Sequence, residues 1–254
     1  MRKELRTLDG SASSGLKGRQ LQLRYNAWHS RLGRSTVDAG PDPRQLPMFD
    51  WLLAMVGCQA GYSLLDVACG QGEFLAYAAS RGLRVSGIDI SDFAVDEARR
   101  RLPDADIRIG EGESLPFDDQ SFDLVSCIGS LEHFPDPVSG AAEMRRVLRK
   151  DGSALIFVPN LFFLGHIWFG LRHGTQPTEA GQDFSETFLS SQGWGNLLSE
   201  AGFVVRDFHP WNQIYASERV SPAVKLVWNA VSRLVPRNGA YAFAFVCSRG
   251  LNDL

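Results

Sequence analysis

The residues with the clearest chemical potential lie in Leu64-Leu65-Asp66-Val67-Ala68-Cys69-Gly70-Gln71-Gly72-Glu73-Phe74, where an apolar run meets a Gly-x-Gly turn and then a helical pattern. Glycines tolerate positive φ and let the backbone approach a ligand, while a helix start offers N–H groups to an anion. The next apolar run ends in Gly87-Ile88-Asp89-Ile90. A carboxylate there, near the first turn, is the usual device for holding two ribose hydroxyls. A nicotinamide dinucleotide and an adenosine-type sulfonium both satisfy this pair. Two residues separate them. The dinucleotide fingerprint asks for a third glycine where Leu75 stands, and Leu75 is expected to crowd the close helix–strand contact. Asp66 would place a negative charge beside a pyrophosphate, yet would suit an ammonium group.

These residues need elements to hold them. From Ser63 onward short apolar runs alternate with amphipathic stretches: strands at Leu64–Ala68, Arg84–Ile90, Asp106–Ile109, Phe122–Ile128 and Ser153–Val158. Helices are expected between them at Glu73–Arg81, Asp92–Arg101 and Pro137–Lys150, the last stopped by Asp151-Gly152. Alternation of this kind implies a parallel α/β sheet. A helix at Ser191–Ala201, a sixth strand at Phe203–Phe208 and an antiparallel run at Tyr241–Cys247 complete the pattern.

The region 1–61 reads as an N-terminal tail and helical lid, and 62–254 as the catalytic domain. Met1–Arg19 mixes basic residues with Gly and Ser, lacks a secretory apolar run, and is expected to be a frayed tail. Two helical pieces follow between Leu21 and Gly61, the second at Arg44–Val56.

The motifs together resemble the class I S-adenosylmethionine (SAM)-dependent methyltransferases, in particular the small-molecule (type 11-like) branch. The resemblance runs from about Leu64 to Val158. It rests on the Gly70–Gly72 turn, Gly87-Ile88-Asp89-Ile90-Ser91, Gly110-Glu111-Gly112-Glu113-Ser114-Leu115-Pro116-Phe117, Ser121-Phe122-Asp123-Leu124-Val125 and Leu131-Glu132-His133-Phe134. It implies a Rossmann-like, doubly wound, seven-stranded, mostly parallel sheet with an antiparallel last strand. It also implies SAM as cofactor, with Gly70 and Gly72 around the methionine part and Asp89 on the ribose. The family's adenine-facing Asp is replaced by Glu111, whose longer side chain can still accept from the adenine amino group, and the Gly112 N–H follows at a ring nitrogen. Ala68, Ile90, Ile128 and Gly129 line the same crevice by this resemblance, Asp66 joins them, and Tyr25 matches an aromatic that some relatives fold over the cofactor. A plain packing helix is the alternative for Tyr25.

Methyl transfer from a sulfonium needs alignment rather than a metal, and a base only where the acceptor must lose a proton. His133 is the histidine best placed for that, although a role in the cofactor pocket or at the opening of the next helix fits it equally. Cys127 reads as buried filler rather than a nucleophile.

The acceptor, a small-molecule or lipid-linked compound methylated on oxygen, nitrogen or carbon, is expected to meet insertions at 159–183 and 209–240. The first carries Phe162, His166 and Trp168, and the second His209, Trp211 and Tyr215. Ordinary packing is the alternative for both. A late helix, Pro222–Leu234, has an apolar face of Val224, Val227, Trp228 and Val231 beside Lys225 and Arg233. That face fits core packing or peripheral membrane contact. The most apolar run, Leu161–Leu171, is too short to span a bilayer.

The net charge of −3, from 26 basic and 29 acidic residues, offers no field for gathering a phosphate backbone, so nucleic acid is not an expected partner. Four scattered cysteines suggest neither a metal site nor a disulfide framework, and hence a reducing cytoplasm. The rival functions are an NAD(P)-dependent oxidoreductase and a non-catalytic SAM-binding protein. The oligomeric state is not encoded in any of these patterns.

Overall fold

The computed structural model describes residues 10–32, 42–163, 167, 171–172, 174, 187–212 and 232–250. Helices α1 (Gly10–Leu32) and α2 (Leu46–Val56) precede the alternating part. There β1 (Ser63–Val67), α3 (Glu73–Ser80), β2 (Arg84–Asp89), α4 (Asp92–Arg101), β3 (Asp106–Ile109) and β4 (Phe122–Ile128) follow in turn. A 3-10 turn at Leu131–His133 leads to α5 (Pro137–Val147) and β5 (Leu148–Pro159), and the chain closes with α6 (Ser191–Glu200), β6 (Phe203–Trp211) and β7 (Ala242–Arg249).

The seven strands are ordered β3-β2-β1-β4-β5-β7-β6. Strands β1 to β5 are mutually parallel, and β7 runs antiparallel between β5 and β6. This is the doubly wound Rossmann-like sheet with an antiparallel strand that the motifs imply. Side chains alternate across it. Leu65, Val67, Val125 and Ile156 pack toward α5 and α6, while Leu64, Leu124 and Leu155 pack toward α2, α3 and α4. The starts of α4, α5 and α6 are capped by side chains: Ser91 accepts from the Ala94 N–H (3.2 Å), Asp136 from the Ser139 N–H (3.1 Å) and Ser190 from the Gly193 N–H (3.1 Å).

Most boundaries fall within two residues of expectation, and larger differences occur at α1, at the α5–β5 junction and at β6. Helix α1 begins at Gly10, so residues 10–19 are helical rather than a frayed tail, and residues 1–9 lie outside the described residues. The helix packs on α4, and at Gly18 it meets Glu111; once these downstream turns are anchored, adding residues at the helix end is cheap. Helix α5 ends at Val147, not Lys150. Leu148, fully buried, already pairs with Phe122, and Arg149 bonds the Asp123 carboxylate. Gly152 therefore does not stop a helix. It lies at an irregularity in the β4–β5 ladder, where a Cβ would meet Leu148 Cδ1 at 2.7 Å and the Asp123 carbonyl at 2.8 Å. Finally, β6 continues through Trp211, because β7 pairs with it as far as Ala242, so the expected 209–240 insertion opens inside a strand.

Within the first insertion Asn160 is a latch rather than a pocket residue. It is fully buried, its Nδ2 donates to the Asn238 and Ala240 carbonyls (2.9 and 2.7 Å), and its Oδ1 accepts from the Phe162 N–H (3.0 Å). Phe163 is buried edge-on against Tyr241. His166, Trp168, Tyr215 and residues 222–231 of the helix expected at Pro222–Leu234 lie outside the described residues, and Ser232–Leu234 forms a 3-10 turn. Among the described residues, no helix is long and apolar enough to cross a membrane, and all four cysteines are free.

Candidate active site

A cavity of about 1130 Å³ opens at the carboxyl ends of β1, β2, β3 and β4, the crevice position of open α/β sheets. Its floor is the β1–α3 turn. Ala68 (φ +60°) and Gly70 (φ +54°) both adopt left-handed backbone, which costs little at Gly70 but strains Ala68. The turn is tied to β2, since the Cys69 N–H donates to the Ile88 carbonyl (3.0 Å) and the Gly70 N–H to Asp89 Oδ2 (2.8 Å). The other oxygen, Oδ1, accepts the Ser91 N–H (2.8 Å). Asp89 is thus held at both oxygens by backbone donors and presents a fixed carboxylate to the cavity. Burial raises its pKa, opposed by His29 and those donors.

Asp66 lies deeper, 3% exposed, accepting the Ser126 hydroxyl at 2.6 Å. Burial lifts this carboxyl to about 7, the Ser126 hydrogen bond opposing and Asp89 reinforcing the shift. Gly72 (φ +76°) caps the start of α3, but a Cβ there would meet Ala98 at 3.1 Å. It shapes the turn and packs on α4, and it is absent from the cavity lining that contains every other expected site residue.

Leu75 does not crowd the helix–strand contact. It is fully buried, with its Cδ1 2.7 Å from where a Gly87 Cβ would stand. The glycine permitting close approach is carried by the strand instead of the helix.

Glu111 and Gly112 line the wall after β3. The Phe134 ring is wedged between Gly112 and Gly140, at both of which a Cβ would overlap it. Ile128 and Gly129 (φ +62°) complete the wall after β4, with the Gly129 N–H donating to the Phe157 carbonyl (2.7 Å). His133 also faces the cavity. Burial lowers its imidazole to about 4, so it is neutral at pH 7, and the Tyr25 ring meets it edge-on at 6.5 Å.

The opposite wall is α1, through Gly18, Arg24, Tyr25, Trp28 and His29. Tyr25 was visible in sequence; Trp28 and His29 were not singled out, although their spacing from Tyr25 puts all three on one helix face. Phe134 and Glu113 were also missed as lining residues. Phe134 stands in the Leu131-Glu132-His133-Phe134 motif, but nothing local marks it as a lining residue, because its position depends on glycines in two distant segments.

Residues 65–156 match the family described as "Methyltransferase domain". A transposon-borne protein of Streptomyces fradiae is 38% identical over 217 residues, covering 80% of this chain and 60% of its own length. A demethylmenaquinone methyltransferase of Chlorobaculum parvum is 29% identical over 163 residues, covering 58% of this chain and 68% of that one. In three dimensions the chain is similar to the Haloferax volcanii chain solved in complex with the Trm112 methyltransferase activator, with a TM-score of 0.67 at 20% identity over 92% of this chain and 99% of that one. At that identity the likeness speaks for the fold alone.

Proposed function

From the premise that this chain belongs to the class I SAM-dependent methyltransferases, its domain matching over residues 65–156, we propose that it methylates a small, largely apolar acceptor bound beside the cofactor in the β1–β4 crevice. The observation carrying this reading is that one continuous cavity holds both the Gly70–Asp89 anchor and an aromatic wall of Tyr25, Trp28, Phe49 and Phe134. At about 1130 Å³ it exceeds the roughly 300–1,000 Å³ of a typical single-ligand cleft, leaving room for two molecules. The Chlorobaculum relative makes a lipid-like, quinone-type acceptor the first class to test.

The described residues fit SAM. Asp89 would take the ribose, the left-handed turn at Ala68 and Gly70 the methionine part, Asp66 the ammonium group, and Glu111 with the Gly112 N–H the adenine. Bound there, the cofactor supplies a methyl group already activated as a sulfonium. The protein's work is then positional. The strained turn and fixed carboxylate set the donor side, the α1 aromatics hold the acceptor and exclude water, and alignment accounts for most of the rate. Where the acceptor loses a proton, the neutral His133 imidazole is the group proposed to receive it.

Titration calorimetry with SAM, S-adenosylhomocysteine and NADH tests the cofactor; micromolar binding of the first two with no NADH response is expected. Quinone-type and other apolar acceptors are then incubated with SAM and the products weighed by mass spectrometry. Tight NADH binding without SAM binding would overturn the reading.

A further inference from the structure

His29 has no role in the assignments above, yet it is the polar side chain that α1 places deepest in the cavity wall. It is 7% exposed, and its Nδ1 is buried without a hydrogen-bond partner among the described residues. Its Cε1 stands 3.6 Å from where a Gly70 Cβ would be, and it interacts electrostatically with Asp89. A buried, unsatisfied ring nitrogen costs stability unless something bonds it. Trp28, edge-on at 4.8 Å, holds the ring from one side.

The helix is also fastened at this point. Ser91, whose N–H anchors Asp89, donates its hydroxyl to Asn26 Oδ1 at 2.7 Å, and Asn26 is three residues before His29 on α1. One chain of contacts thus runs from the Asp89 carboxylate through Ser91 and Asn26 to the helix that carries the histidine.

We propose that His29 is a cofactor-binding residue, delivered by α1 to the junction of Gly70 and Asp89 to bond a ribose hydroxyl, and that the Asn26–Ser91 hydrogen bond is the latch holding it there. A hydroxyl is favoured over the methionine carboxylate for two reasons. A hydroxyl both donates and accepts, so it satisfies Nδ1 in either tautomer. A second carboxylate beside Asp89 would be repelled in this buried site. The burial that disfavours a charged His29 supports a neutral ring in this role.

The inference rests on the SAM reading, and the experiment separates the two. Calorimetry of the full chain with S-adenosylhomocysteine and with adenosine, which has the ribose but no amino acid, is run on wild type, His29→Phe, His29→Asn and Asn26→Ala. One hydrogen bond is worth about three- to tenfold in affinity. His29→Phe is expected to weaken both ligands by that factor while the ligand-free protein keeps its melting temperature, since no polar atom loses a partner. His29→Asn, whose amide occupies the place of Nδ1, is expected to restore binding to within about twofold. Asn26→Ala is expected to weaken both ligands, and the Asn26→Ala/His29→Phe pair to be less than additive. Equal binding by wild type and His29→Phe overturns the proposal, as does a loss confined to S-adenosylhomocysteine with adenosine unchanged. Failure of the wild type to bind either ligand would instead refute the SAM reading.

Discussion

Lowering the pH from 8 to 6 is expected to weaken SAM binding through Asp66. This carboxyl is buried against Ser126 and lifted to about 7, so the ligand-free protein is largely ionised at pH 8 and largely protonated at pH 6. SAM brings a sulfonium and an ammonium group, both of which favour the ionised form, and binding below the midpoint must expel a proton. The sign follows: affinity is flat above about pH 7 and falls below it. At one unit below the midpoint roughly a tenth of the molecules are ionised, so affinity drops about tenfold, or about 1.4 kcal/mol. Burial holds His133 at about 4, below this window, and pushes His29 down as well, against the pull of Asp89. Calorimetry at pH 6, 7 and 8 in buffers of different ionisation heat reads both the affinity and the proton released. Asp66→Asn is expected to flatten the profile, and Ser126→Ala, which removes the opposing hydrogen bond, to move the midpoint upward. A wild-type affinity constant from pH 6 to 8 with no proton release would refute the reasoning, as would an unaltered slope in Asp66→Asn.

Asp89→Ala leaves the Gly70 and Ser91 N–H groups without their acceptor, at about 1–3 kcal/mol for each group that water does not reach, and is expected to weaken SAM at least tenfold by calorimetry. Undiminished binding would contradict the ribose assignment. Gly87→Ala pushes a Cβ to within 2.7 Å of Leu75 Cδ1 and 2.8 Å of Cys69 Sγ, and should cost about 1–3 kcal/mol in urea unfolding. Leu75→Ala in the same chain should recover part of that loss, whereas strictly additive losses would argue against the contact. His133→Gln is expected to lower kcat while leaving S-adenosylhomocysteine affinity intact. Because burial sets this imidazole at about 4, an acid limb due to it should lie well below pH 6.5.

What could be read from the chain itself was local. The β1–α3 turn declares itself because Gly70 and Gly72 must adopt positive φ beside an apolar run, and Asp89 because it ends the next such run. The period-two and period-3.6 patterns located β3, β4 and α4 to the residue, since those periods depend on neighbours a few positions apart. Tertiary packing decided the rest. Asp151-Gly152 resembles a helix stop until Leu148 is seen pairing with Phe122. Leu75 looks prohibitive until Gly87 is found opposite. The Phe134 wedge needs Gly112 and Gly140 together, and the second wall of the cavity exists because α1 docks on α4 through Asn26 and Ser91, 65 residues apart. Sequence periodicity marks which face of α1 is aromatic; only the folded chain selects what that face meets, because contact energies between distant segments leave no trace in local spacing.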